Sequence, residues 1–121
     1  MSLPPDKHLD FVREAFFAPG NDPAVWRGGW YPEVARMQSA ATQGMPLPSW
    51  SGGGRAPIMV VQGKQDAVAP PENALLLKEE FGDRITLVEI DGAGHAILPE
   101  QPRAVADAVS WFTKKVYGKI Q

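Results

Sequence analysis

A chain of 121 residues that is 44% hydrophobic and 21% charged is one small globular domain at most, too apolar for a disordered segment. Its formal net charge of −2 leaves no electrostatic footprint for nucleic acid or an anionic membrane surface. The absence of cysteine excludes disulfides, a thiol nucleophile and a Cys-ligated metal, and no apolar run reaches the roughly 18 residues that a spanning helix needs.

Residues 1–6, Met-Ser-Leu-Pro-Pro-Asp, read as a loose start without the charged-then-apolar pattern of a secretory signal, so a cytoplasmic location is expected. Asp6 is placed to cap a helix running to about Phe17, with Leu9, Val12 and Phe16 (and Phe11) at helical spacing and Pro19-Gly20 ending it. Asn21-Asp22-Pro23 starts a second helix, Asp22 as cap and Pro23 in the first turn. Val25, Trp26, Trp30 and Tyr31 then form an aromatic cluster interrupted by Gly28-Gly29. Pro32 opens a third helix to about Gln43, with Val34, Met37 and Ala41 along one face and Gly44 as its stop.

Prolines and a run of three glycines mark residues 46–56 as a linker without regular structure. Before it, 1–45 is helical and aromatic; after it, 57–121 reads βαβα. Ile58 to Gln62 is short, apolar and partly β-branched without alternation, which suits a strand covered on both faces of a parallel sheet. Glu72 to Phe81 is a helix expected to turn Leu75, Leu76 and Phe81 inward, with Gly82 as its C-cap. Arg84 to Ile90 is the second strand, separated from the first by enough chain for a crossover but not for a hairpin. A last helix begins at Pro102, carries Val105, Val109, Phe112 and Val116 on one stripe, and stops at Gly118.

Two strands make a marginal sheet with two bare edges. More strands are therefore expected, either from a second copy of the chain in a homo-oligomer or from a missing N-terminal half.

The first strand leads into Gly63-Lys64-Gln65-Asp66 and the second into Gly92-Ala93-Gly94-His95. Asp66 and His95 thus sit just past the carboxyl ends of neighbouring parallel strands, where open α/β sheets place their chemistry. A carboxylate that accepts from one imidazole nitrogen fixes the tautomer and supports the imidazolium, so the two are candidates for the acid and base of a triad. The alternative is a turn Asp and a turn His.

These residues resemble the C-terminal portion of the α/β-hydrolase superfamily. In that family an acid follows a late strand in a Gly-x-x-Asp-x-x-x-Pro context, matched by Gly63, Asp66 and Pro70. The catalytic histidine follows the last strand in Gly-x-Gly-His, matched by Gly92, Gly94 and His95, and Pro99-Glu100-Gln101-Pro102 leads into the closing helix, as in the family. Residues 10–43 are similar to the helical lid that such hydrolases insert. The resemblance implies a partial α/β-hydrolase fold, two parallel strands with flanking helices behind a lid-like segment. It also implies catalytic roles for Asp66 and His95 on an ester or similar acyl substrate.

The family's nucleophile elbow, Gly-x-Ser-x-Gly between strand and helix, is absent from this sequence. Ser51, in Ser49-Trp50-Ser51-Gly52-Gly53, follows the family's chain order but has prolines before it and glycines after it, and reads as a linker serine. Asp22, in Gly20-Asn21-Asp22-Pro23-Ala24, loosely fits an Asp elbow and reads as a helix cap. Trp26, Trp30 and Tyr31 either line an apolar substrate pocket or form the lid's own core. His8 reads as a solvated helix residue and Asp91 as a turn former. Two histidines so far apart make no metal-ligand pattern, and Gly52-Gly53-Gly54 precedes a strand, the wrong order for a phosphate loop, so no cofactor is expected. The expectation is a C-terminal fragment of a serine-type hydrolase, inactive alone. The alternative is a non-catalytic dimerisation or interaction module derived from the same fold.

Overall fold

In the computed structural model, which describes residues 5–28, 31–49 and 52–118, the two apolar runs pair as parallel strands. β1 (Ile58–Gly63) and β2 (Ile85–Ile90) run in register from Ile58 opposite Ile85 to Gly63 opposite Ile90, and form a two-stranded sheet among the described residues. With no polar alternation, both strands call for cover on each face. That cover is partial: Ile85 and Ile90 are buried, whereas Ile58 to Val61 and Thr86 to Val88 are only half-buried.

The crossover between the strands is α3 (Pro71–Phe81), which starts on a proline whose missing N–H costs nothing in a first turn and ends at Gly82. It packs on both strands. Its inward stripe is Ala74, Leu77, Lys78 and Phe81, at helical spacing, and the Lys78 ammonium donates to the Ile85 carbonyl at the start of β2. Leu75 and Leu76, expected inside, stand 49% and 62% exposed because they fall beside that stripe rather than on it.

After β2 a short helix, α4 (Ile97–Glu100), not expected from the sequence, leads into α5 (Pro102–Tyr117). Ala108 is the buried centre of α5, flanked by half-buried Val105, Phe112 and Val116. Val109 is 49% exposed, one step off the stripe expected of it. Between β2 and α5 an open groove of about 500 Å³ is lined by Val88, Ile90, Ala104 and Trp111 among others.

At the other end of the chain, α1 (Pro5–Phe16) buries Val12 completely, with Leu9, Ala15 and Phe16 half-buried on the same face and Phe11 turned out. Asp6 lies inside the first turn of α1 rather than at its cap, since Pro5 already occupies a helical position. The expected second helix is a single 3-10 turn, Pro23–Trp26, and Asp22 caps it by accepting from Ala24 N at 2.9 Å. Val12, Phe17 and Ala96 form a small core against which Phe16 and Trp26 pack. α2 (Pro32–Thr42) buries none of its residues, so the apolar face of Val34 and Met37 looks outward.

The linker expected to lack regular structure contains one 3-10 turn, Leu47–Ser49. Its far end is fastened to the sheet by Arg84, whose guanidinium donates to the carbonyls of Gly52 and Ala56 and lies 5.5 Å from the centre of the Phe81 ring. No helix among the described residues is long and apolar enough to cross a membrane.

The stripe on α3 is open to test by urea denaturation. Leu77→Ala, on the inward stripe, should cost about 2 kcal/mol. Leu76→Ala should stay within roughly 0.5 kcal/mol, as for exposed positions generally. Equal losses at the two positions would place the inward face elsewhere.

Candidate active site

Parallel pairing in register delivers both strand ends to the same edge of the sheet, and the two turns that follow are laced together. Lys64 N donates to Ile90 O at 3.0 Å, Gln65 N to Ala93 O at 2.9 Å, and Ala93 N returns a bond to the Gln65 side chain at 3.1 Å. A Cβ on Gly63 would lie 2.4 Å from the carbonyl oxygen of Gly94, so this approach demands glycine. On its far side Gly94 meets the end of α1: a Cβ there would stand 2.8 Å from both Ala18 N and Phe16 O. The glycines of Gly-x-x-Asp and Gly-x-Gly-His thus let three backbone segments stack.

Within the first turn, Asp66 Oδ1 accepts from Val68 N at 2.9 Å and Ala69 N at 2.8 Å. Buried Gln62 closes the same turn by donating to the carbonyls of Gly63 and Ala69. These bonds hold the carboxylate so that its other oxygen, Oδ2, faces His95 Nδ1 at 3.0 Å. The Asp66 side chain is 8% exposed and that of His95 39%, an enclosed carboxylate beside a reachable imidazole. An ionised carboxylate only accepts hydrogen bonds, so one placed against Nδ1 favours the tautomer with the proton on Nδ1 and the lone pair on Nε2. A histidine arranged in this way can take a proton from a nucleophile.

The imidazole also leans on the ring of Phe16, whose centre is 5.6 Å away at an interplanar angle of 53°. Behind Phe16 stands Trp26, edge-on to Phe16 at 5.7 Å and to Phe17 at 5.3 Å. At the rim, Lys64 and Asp91 pair at 3.0 Å across the two strand ends. The hydrogen bond to Asp91 and that residue's charge raise the Lys64 pKa above its ordinary value. Asp91, expected as a turn former, is therefore also an ion-pair partner. An opening of about 470 Å³ lies between the end of α1 and the Asp66 turn, bounded by Arg13, Phe17, Pro19, Gln65 and Ala67 among others.

A family model described as TAP-like protein, within the α/β-hydrolase superfamily, matches residues 28–116. The chain belongs to that family. The matched region contains α2, both strands, α3, α4 and both turns of the site, while α1 and the Pro23–Trp26 turn precede it. The fold is accordingly a partial α/β-hydrolase fold. No curated protein and no solved structure matches the chain.

Of the residues singled out in this TAP-like sequence, Asp66 and His95 meet directly, and Trp26 reaches them through the Phe16 ring. Tyr31 is 81% exposed ahead of α2, and Trp30 and Ser51 lie outside the described residues. Phe16 was legible only as one apolar position of a helix, with no signal that its ring would face the histidine. Glu100 and Asn21 were missed as well. The Glu100 carboxylate accepts from Ala18 N, Asn21 Nδ2 and Gly94 N, and Asn21 also donates to Gly92 O. Among the described residues no cluster of three or more His, Cys, Asp or Glu side chains could hold a metal ion.

Gly63→Ala should destabilise the fold by about 1–3 kcal/mol, because the added methyl meets backbone that cannot rotate away. It should also part the two turns, seen as loss of amide-exchange protection at Gln65 N. Retained protection with unchanged stability would show that the turns are not in contact there.

Proposed function

We propose that this chain is the C-terminal portion of a serine-type α/β hydrolase acting on an ester or similar acyl substrate, with His95 as base and Asp66 as the acid that orients it. The contact of 3.0 Å between Asp66 Oδ2 and His95 Nδ1 carries this reading. In the reaction a serine hydroxyl attacks the acyl carbonyl as His95 Nε2 removes its proton, with Asp66 supporting the imidazolium. His95 then returns that proton to the leaving alkoxide, and water repeats the sequence on the acyl-enzyme.

The serine comes from a Gly-x-Ser-x-Gly segment outside this sequence, since no such motif occurs within it. Residues 1–45 are the lid-like segment, 46–56 the linker and 57–121 the part bearing acid and base. Trp26 and Phe16 supply the apolar side of the acyl site. By itself the chain is inactive.

The exposed surface supports a partner for the sheet. The middles of both strands are only half-buried although they are apolar, and α2 buries none of its residues. In the first reading the rest of the hydrolase sheet covers this surface. The outward apolar face of α2 and the half-buried strands favour a second reading, a non-catalytic module that covers the same surfaces with another copy of itself.

Fluorophosphonate labelling separates these readings. The chain alone should give no adduct. Joined to a segment that carries the serine elbow, it should label at that serine, with ester hydrolysis falling roughly 10³-fold or more in His95→Ala and in Asp66→Asn. A His95-dependent adduct at Ser51 in the chain alone would move the nucleophile into this sequence. No labelling in the joined protein, with a discrete dimer of the chain by light scattering, would favour the module.

A further inference from the structure

The turn that carries His95 is gripped from one side by a single carboxylate. Glu100, at the end of α4, folds back so that Oε2 accepts from Gly94 N at 2.7 Å, next to the histidine in sequence. Its Oε1 accepts from Ala18 N at 2.6 Å and Asn21 Nδ2 at 2.7 Å, both beyond the end of α1. Hydrogen bonds to an ionised acceptor are short and about twice as strong as neutral ones, and these distances fit that class. Around the carboxylate the same two segments touch again: Ala96 N donates to Phe16 O at 2.8 Å, and Asn21 Nδ2 to Gly92 O at 2.9 Å.

The geometry points to Glu100 as a positioning residue for His95, acting through the turn at Gly94 and through the docked end of α1. The imidazole is 39% exposed and is oriented by two surfaces, the Asp66 carboxylate and the Phe16 ring. Phe16 is the last residue of α1, so its ring can face His95 only while the end of that helix is held against the Gly92–Ala96 turn. Glu100 supplies that hold. Only a carboxylate suits the place, since three N–H donors converge on it and a glutamine amide would turn an N–H₂ toward at least one of them. This role rests on the reading of Asp66 and His95 as an acid–base pair, and it makes α1 part of the machinery that aims the base.

The test is the tautomer of the neutral His95 ring, read from imidazole ¹⁵N shifts in long-range ¹H–¹⁵N spectra of the whole chain. Ile85→Val serves as a control for general loosening, being a small cavity in the sheet core. Wild type and Ile85→Val should hold the Nδ1–H form that Asp66 selects. Glu100→Gln should lower the ratio of the Nδ1–H to the Nε2–H form roughly tenfold, the effect of one lost hydrogen bond of ordinary strength. Asn21→Ala, which removes one donor and leaves the carboxylate in place, should lower it by less.

If both variants fold and keep the wild-type ratio, Glu100 is structural only and the inference is wrong. It is equally wrong if Ile85→Val lowers the ratio as much as Glu100→Gln. Should Glu100→Gln fail to fold, Asn21→Ala decides alone, and a wild-type ratio there overturns the role. Dominance of Nε2–H in the wild type itself would remove the Asp66–His95 pairing, and the positioning role with it. That result is distinct from a wild type that holds Nδ1–H while the variants do not respond.

Discussion

The closeness of two backbone turns at one end of the sheet governs everything else in this molecule. Gly63 passes so near the Gly94 carbonyl that no side chain fits between them, and Gly94 in turn admits the end of α1. Because β1 and β2 are parallel and in register, both chains leave the sheet at that edge together, and the carboxylate and imidazole leave with them. An antiparallel pair would have sent the two turns to opposite ends. The parallel arrangement requires a long crossover, which is α3, and α3 is fixed by burial of Ala74 and by the Lys78 bond to the Ile85 carbonyl. Sheet topology, crossover and glycine spacing thus converge on one consequence, a side-chain pair 29 residues apart in sequence that meets at 3.0 Å.

What could be read in the sequence was what local chemistry decides. Runs of β-branched residues marked both strands, prolines in first turns marked the starts of α2, α3 and α5, and the two Gly-containing motifs marked Asp66 and His95. The rest depended on partners far along the chain. Leu75 and Leu76 fit an apolar face as well as Ala74 and Leu77 do, and only the position of the strands chooses between the two stripes. Glu100 meets Ala18 across 82 residues and Asn21 across 79, and nothing in its immediate neighbourhood announces three donors. Phe16 is one of several helical aromatics until the turn after β2 places an imidazole beside it.

Burial is distributed unevenly, and the pattern has a physical sense. The polar groups of the site are well satisfied: both Asp66 oxygens, both Glu100 oxygens and buried Gln62 all have partners. The apolar surfaces away from it are not, since the middles of both strands are half-buried and α2 buries nothing. A hydrogen-bonded turn keeps its shape through local bonds even when the sheet behind it is incompletely covered, because its N–H and C=O groups are spoken for. Apolar strands gain stability only as their area leaves water. The Asp66–His95 contact therefore depends less on complete cover of the sheet than the stability of the whole chain does.

The match to the TAP-like family begins at residue 28, yet the aromatic ring against His95 and two of the three donors to Glu100 come from residues before it. Asp66 and His95 lie within the matched region, whereas the ring that backs the imidazole is contributed by the preceding helix. Such a division lets the environment of the imidazole change without touching the pair itself, because a different residue at position 16 alters the ring's neighbour while Asp66 keeps its bond to Nδ1. It also joins the two ends of the chain energetically. Loss of the carboxylate at position 100 leaves Gly94 N, Ala18 N and the Asn21 amide competing for water in a partly buried crevice, and the cost falls on the turn and the helix together. The placement of His95 is therefore a property of four segments, α1, the turns after β1 and β2, and α4, rather than of the strand that delivers it.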